Sequence, residues 1–288
     1  MEVHACREYS IKFSWQKLPH YILGLQLGGG SDQVQLQPAQ GVVNLPSELL
    51  QQSGPELRPT KQGVVIAHGL LCSRLDFANI AEQLCKDGLL VIAPEFDDSV
   101  SHDEGVTAGG FIGALAKRKP AEEQRAAVVE ECIEYLRAQG VEHVGLLGHS
   151  RGGVTISQMP GRFARVNIAG FLPPPIAPRD GYHPSASSAP MLIVCGAEDE
   201  VCARPPSSLE YVRAVVDEMA PEAEEWYPEG IGHLTVLDPR VRQQWAAKLG
   251  SVGLGGLARP PPEGSDFDKV FVDRIVEFFK RNLPSLES

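Results

Sequence analysis

The chain lacks several features that would have assigned it quickly. It has no CxxC pair and no cysteine–histidine spacing of a zinc module, so a structural metal site is not implied. No apolar run approaches the ~18–20 residues that a membrane-spanning helix needs. Basic residues are in deficit: 26 Lys and Arg stand against 37 Asp and Glu, a net charge of −11. That balance argues against nucleic acid or an anionic membrane as partner. No internal repeat is visible, which excludes a solenoid or propeller. The opening "MEVHACREYS" has no apolar core of signal-peptide length, and the expected setting is intracellular and soluble, in the cytoplasm or an organelle. Six cysteines remain, at 6, 72, 85, 132, 195 and 202. Reduced thiols are the expectation, with a Cys195–Cys202 disulfide as the alternative.

What is present is a core of useful size. The 288 residues are 43% hydrophobic, enough for one large α/β domain or two small ones. Residues 1–60 are polar and rich in turn formers, with "YSIKFSW" and "YILGLQL" reading as peripheral antiparallel strands of the same domain and "VQLQPAQGVVNLP" as another. The remainder, 61–288, reads as the core. There "GVVIAHG", "LLVIAPEF", "VGLLGHS", "RVNIAGFL" and "MLIVCGA" are nearly continuous apolar runs, the signature of parallel strands covered on both faces. Amphipathic segments between them predict helices over Ser73–Lys86, Pro120–Gln139, Pro206–Ala220 and Asp266–Asn282. The β-α alternation implies a mainly parallel central sheet with helices on both faces. Two connections, 97–119 and 250–265, are long enough to be read as candidate lid segments.

The chemistry concentrates in "VGLLGHSRGG". Gly148-His-Ser-Arg-Gly152 is a Gly-x-Ser-x-Gly pentapeptide that ends a strand pattern and opens a helix pattern. Such a turn strains the serine backbone and lifts Oγ clear of the sheet, and a Cβ at position 148 or 152 would collide across it. Ser150 is therefore the candidate nucleophile. A serine needs a base and an orienting acid. Asp199 ends the buried run "APMLIVCGAEDEV", and His233 sits in the glycine-flanked turn of "EEWYPEGIGHLTVLD". His233 is the candidate base and Asp199 its partner, with Glu198 and Glu200 as competing acids. Two donors are expected for an oxyanion: the N–H of Arg151, directly after the serine, and that of Leu70, with Leu71 second. His149 and His68 read as scaffold residues.

Together these residues resemble the α/β-hydrolase superfamily from about Gly63 to the last helix. The pattern is similar to the dienelactone-hydrolase-like esterases, broadly including the chlorophyllase and platelet-activating-factor acetylhydrolase relatives. The carriers are "HGLLCSRLDFANIAEQLCKDGLLVIAPEF" and the chlorophyllase-type elbow "GHSRGG". Chlorophyllases and the acetylhydrolases carry their acid after the strand that follows the elbow helix, and Leu172 and Pro173 stand there in this chain. The acid is thus expected one strand later, as in dienelactone hydrolase. That enzyme has a cysteine where this chain has Ser150.

The resemblance implies a serine carboxylic-ester hydrolase working through an acyl-enzyme on an apolar ester, of lipid or chlorophyll type. Leu71, Phe111 and Leu172 are expected to rim the site. The alternative is a non-catalytic scaffold of the same fold used for binding or regulation. No metal or organic cofactor is implied, and the expected partner is a small-molecule ester; neither nucleic acid nor an integral membrane segment is expected.

Overall fold

A computed structural model describes residues 6–11, 22–27, 60–96, 122–170, 189–202, 209–250 and 255–284. Among them, eight strands form one sheet: β1 (Cys6–Ile11), β2 (Ile22–Leu27), β3 (Gln62–Ala67), β4 (Leu90–Pro94), β5 (His143–His149), β6 (Ala164–Ile168), β7 (Met191–Val194) and β8 (Glu224–Trp226). Their spatial order is β1-β2-β4-β3-β5-β6-β7-β8. The six strands from β3 to β8 are mutually parallel, while β1 and β2 join the β4 edge antiparallel. Residues 9–11 of "YSIKFSW" lie in β1, while the rest of that run, the third N-terminal run, all of the candidate lid 97–119 and residues 251–254 of the other lie outside the described residues.

The apolar runs of β3, β4 and β5 are continuous because these strands feed two cores. Val64 and Ile66 of β3 face one cluster, and their neighbours Val65 and Ala67 face the other. The first cluster is covered by α1 (Ala78–Lys86), α4 (Leu209–Met219), α5 (Pro239–Gly250) and α6 (Phe267–Asn282). The second is covered by α2 (Glu122–Ala138) and α3 (Arg151–Gln158). On α6, Phe271, Ile275 and Phe278 are all fully buried, each contributing roughly 1.5–3 kcal/mol over an exposed side chain. No helix among the described residues is long and apolar enough to cross a membrane.

Helix α5 has no counterpart among the expected helices. Its run "PRVRQQWAAKLG" buries only Val241, Arg242, Trp245 and Leu249, too narrow a stripe for hydrophobic periodicity to stand out. The legible signal was local, an aspartate followed by proline at a helix start. Asp238 accepts the Arg240 N–H at 2.9 Å and also the Asn79 N–H of α1 at 3.0 Å, so one carboxylate caps two helices. Its own N–H donates to the Asp76 carbonyl at 2.7 Å. Helix α1 itself starts at Ala78, later than expected, because Ser73–Asp76 is taken up by a turn in which the Ser73 N–H donates to the Asp76 carboxylate at 2.9 Å.

The chain reverses its direction of travel across the sheet at β3. It passes from β3 to β4 on one side, then returns to β5 on the other. A crevice opens outside the carboxyl ends of strands at such a point. In register, Ala67 of β3 lies beside Gly148 of β5, so the His68–Leu70 turn emerges next to Ser150.

Asp76 is wholly buried, and burial, opposed by the Ser73 and Cys72 hydrogen bonds, pushes its pKa up from 3.8 to about 7. A raised carboxyl binds its proton more tightly when folded, so its stabilisation is complete below the unfolded value and is lost as pH rises through about 7. In Asp76→Asn that dependence disappears. Thermal melts from about pH 4 to about pH 8 are expected to show the stability of the variant, relative to wild type, improving steadily with pH. A constant difference across that window would refute the assignment.

Candidate functional site

Ser150 sits at the join of β5 and α3 with φ 52° and ψ −119°, a conformation costly for a residue with a Cβ. Its surroundings enforce it. The Ser150 N–H donates to the Ile168 carbonyl at 2.8 Å, and the Ser150 carbonyl accepts the Val154 N–H at 3.1 Å. A Cβ on Gly148 would lie 2.3 Å from the Gly152 carbonyl oxygen, and one on Gly152 would lie 2.0 Å from that of Ala67. Only hydrogens fit at those two points. Arg151 opens α3, so its N–H is among the helix's leading donors and the helix dipole points its positive end at the Ser150 side chain.

Polar residues inside the apolar strand β6 brace this turn from below. Arg165 is fully buried, and its guanidinium donates to the carbonyls of Ile156 (3.1 Å), Met159 (2.7 Å) and Gly161 (2.9 Å), ending α3. Asn167 donates to Ser157 Oγ at 2.9 Å and accepts the Gly170 N–H at 2.9 Å. From the adjoining helix on the same face, the buried Arg125 of α2 donates to the His68 carbonyl and, at 3.3 Å, to Thr155 Oγ1, while stacking 3.8 Å over Phe96. None of these three was singled out from the sequence. The available signal was charge and amide inside otherwise apolar periodicity, which folding tolerates only with partners.

The candidate acid and base meet Ser150 from two further loops. Asp199 follows β7 and is buried; its Oδ1 accepts the N–H groups of Val201 and Cys202, both at 2.8 Å. Its Oδ2 accepts the Nδ1–H of His233 at 2.8 Å. With Nδ1 protonated, His233 Nε2 is the acceptor for the Ser150 hydroxyl, 3.0 Å away. Burial works to raise the Asp199 pKa, but the adjacent His233 and the two N–H donors outweigh it and hold the carboxyl below its ordinary value. Glu198 and Glu200, the competing acids, point elsewhere: Arg259 bridges them at 3.0 and 3.4 Å.

The remaining expected site residues divide. Leu70 is half-buried on the turn beside Ser150, next to Gly69, where an added Cβ would lie 3.2 Å from Ser150 Cβ. Leu71, with φ 61°, has its side chain inside the core. Phe111 and Leu172 lie outside the described residues. The described end of the second candidate lid holds a 3-10 turn, Gly255–Ala258, tied to the His233 loop. There the Leu234 N–H donates to Leu257 at 2.9 Å and Thr235 Oγ1 to the Arg259 carbonyl at 3.0 Å.

Cys72, Cys85, Cys132, Cys195 and Cys202 are free thiols, so Cys195 and Cys202 are not bridged. Asp199, Cys202 and His233 have potential metal-ligating atoms within 4.8 Å of one another. Each of those groups is already hydrogen-bonded, the Cys202 thiol to the Ala169 carbonyl at 3.2 Å, so an ion would have to displace those bonds.

No protein-family model matches the chain, and no curated protein matches it. Solved structures do. A ferulic acid esterase from Streptomyces cinnamoneus is 16% identical, with 98% of this chain and 92% of that one covered at a TM-score of 0.63. A dienelactone hydrolase-like promiscuous phosphotriesterase from metagenomic libraries is 18% identical, with 97% and 100% covered at 0.59. An esterase from Pyrococcus furiosus is 12% identical, with 98% and 92% covered at 0.53. The chain has the α/β-hydrolase fold. Ser150 lies at the carboxyl end of β5, beside the end of β3 where the strand order reverses, the position at which open α/β sheets generally bind ligands.

The elbow sterics make a direct test. Gly152→Ala forces its Cβ against backbone rather than a movable side chain. The melting transition is expected to drop by an amount equivalent to about 1–3 kcal/mol or more. A variant as stable as wild type would mean that the turn is looser than described.

Proposed function

We propose that the protein is a serine hydrolase of carboxylic esters, with Ser150 as nucleophile, His233 as general base and acid, and Asp199 as the group that orients the imidazole. One observation carries the reading: a strained serine whose hydroxyl lies 3.0 Å from His233 Nε2, on a ring whose Nδ1–H is held at 2.8 Å by a buried carboxylate. The esterase names of structures with the same fold are consistent with it but supply no residue roles.

The chemistry follows from that geometry. Ser150 Oγ attacks the ester carbonyl as its proton passes to His233 Nε2. The carbonyl oxygen becomes an oxyanion, held by the N–H groups of Arg151 and Leu70. Asp199 stabilises the imidazolium without taking its proton. His233 then protonates the departing alkoxide, leaving an acyl group on Ser150. A water molecule, deprotonated by the same nitrogen, attacks that acyl-enzyme and releases the acid and free Ser150. Apolar acyl or alcohol groups, lipid and chlorophyll-type esters included, are the proposed substrates, by analogy with the elbow "GHSRGG" and its leucine-bearing neighbour loop.

A fluorophosphonate probe is expected to label wild type and not Ser150→Ala; equal labelling would sink the assignment. Asp199→Asn, which removes the tautomer control, is expected to lower kcat by about 10⁴ while leaving the fold intact. Among p-nitrophenyl esters, medium and long acyl chains are expected to outrun acetate. Exclusive acetate turnover would remove the apolar-ester specificity but not the hydrolase.

A further inference from the structure

His233 is gripped by its backbone as well as by its ring. Its N–H donates to Oε2 of Glu200 at 3.2 Å, and its carbonyl accepts the Nε2–H of His149 at 3.0 Å. The two holders are the chain neighbours of the other site residues, since His149 precedes Ser150 and Glu200 follows Asp199. The loops carrying nucleophile, acid and base are therefore closed into a ring of hydrogen bonds, and His233 makes four of them, two through its backbone and two through its ring.

Each holder has surroundings that suit this role better than a passive one. His149 is fully buried, with its ring centroid 4.9 Å from that of His233 and 5.6 Å from the edge-on Phe77. Burial, aided by the neighbouring His233, drives its pKa down to about 3, so the ring is neutral and carries its proton on the nitrogen that faces the His233 carbonyl. Its Nδ1 has no hydrogen-bond partner among the described residues. An apolar ring would fill the same space without stranding a buried nitrogen, but it would offer the carbonyl no donor. Glu200 is fixed in turn by Arg259, 3.4 Å from Oε1. Its carboxylate presses on the chain just before His233: a Cβ on Gly232 would lie 2.9 Å from Oε2.

We propose that Glu200 and His149 are positioning residues that hold the His233 peptide from its two ends and so keep the imidazole aligned between Asp199 and Ser150. This rests on Ser150, His233 and Asp199 being the reacting groups. Neither holder touches a reacting atom. Their effect is on placement, and misplacement of a catalytic group by about 1 Å can cost about 10²-fold in rate.

The test uses the full chain with a p-nitrophenyl ester, each rate being divided by the fraction of sites that a fluorophosphonate labels. Glu200→Ala and His149→Phe are each expected to lower kcat per labelled site by about tenfold, with KM changed by less than about twofold, because alignment and not binding is lost. The low-field proton resonance of the Nδ1–H shared with Asp199 is expected to weaken in both. Glu200→Gln and His149→Gln, which keep an acceptor and a donor respectively, are expected to recover most of the rate and the resonance. A purely structural role would reduce the labelled fraction but leave kcat per site and the resonance unchanged, and that result overturns the proposal. Should His149→Phe fail to fold, the Glu200→Ala and Glu200→Gln pair decides alone, since that side chain is part-exposed. Wild type that neither labels nor differs from Ser150→Ala would instead overturn the triad reading, and this proposal with it.

Discussion

Everything at the site depends on one close approach of backbone to backbone. The turn between β5 and α3 lies so near the end of β3 that Gly152 has room only for hydrogen beside the Ala67 carbonyl. The parallel register of Ala67 against Gly148 sets that distance. From it follow the positive φ of Ser150, the placement of the Gly69–Leu70 turn beside its side chain and the direction of the α3 dipole. A side chain at either elbow glycine would push the strand and helix apart, and the later loops would then face an empty position.

Strain of this kind persists only where the surroundings over-determine it. Here the restraint is polar and buried. Arg165 satisfies the carbonyls at the end of α3, Asn167 ties β6 to the same helix, and Arg125 holds the His68 carbonyl from neighbouring α2. Such groups are costly to bury and directional once bonded, so they select one arrangement of the turn where apolar packing would tolerate several. Hydrophobic burial supplies the stability of the sheet; these bonds supply its exactness at the elbow.

The parallel core was legible because buried strands read as apolar runs, unbroken in β3, β4 and β7 and interrupted in β6 only by Arg165 and Asn167. The elbow was legible because its glycines are a steric requirement written in residue type. Helix α5 was not, since Val241, Trp245 and Leu249 alone make a thin stripe and its start depends on the cap by Asp238. Among the three acids at 198–200, Asp199 was the expected partner, but residue type alone left Glu198 and Glu200 as competitors. Only the fold turns Asp199 toward the His233 ring and Glu200 toward its backbone.

The sequence by itself determined the class of fold, the order of its strands along the chain, and the identity of the serine that must sit in a strained turn. These follow from local causes: apolar periodicity and glycine at points of collision. The tertiary structure decided which carboxylate and which histidine meet that serine, and what holds them there. The distances of 2.8 and 3.0 Å join groups on three loops far apart in the chain. No local pattern encodes such distances, because they are set by sheet register and by buried polar bonds that exist only once the strands have paired.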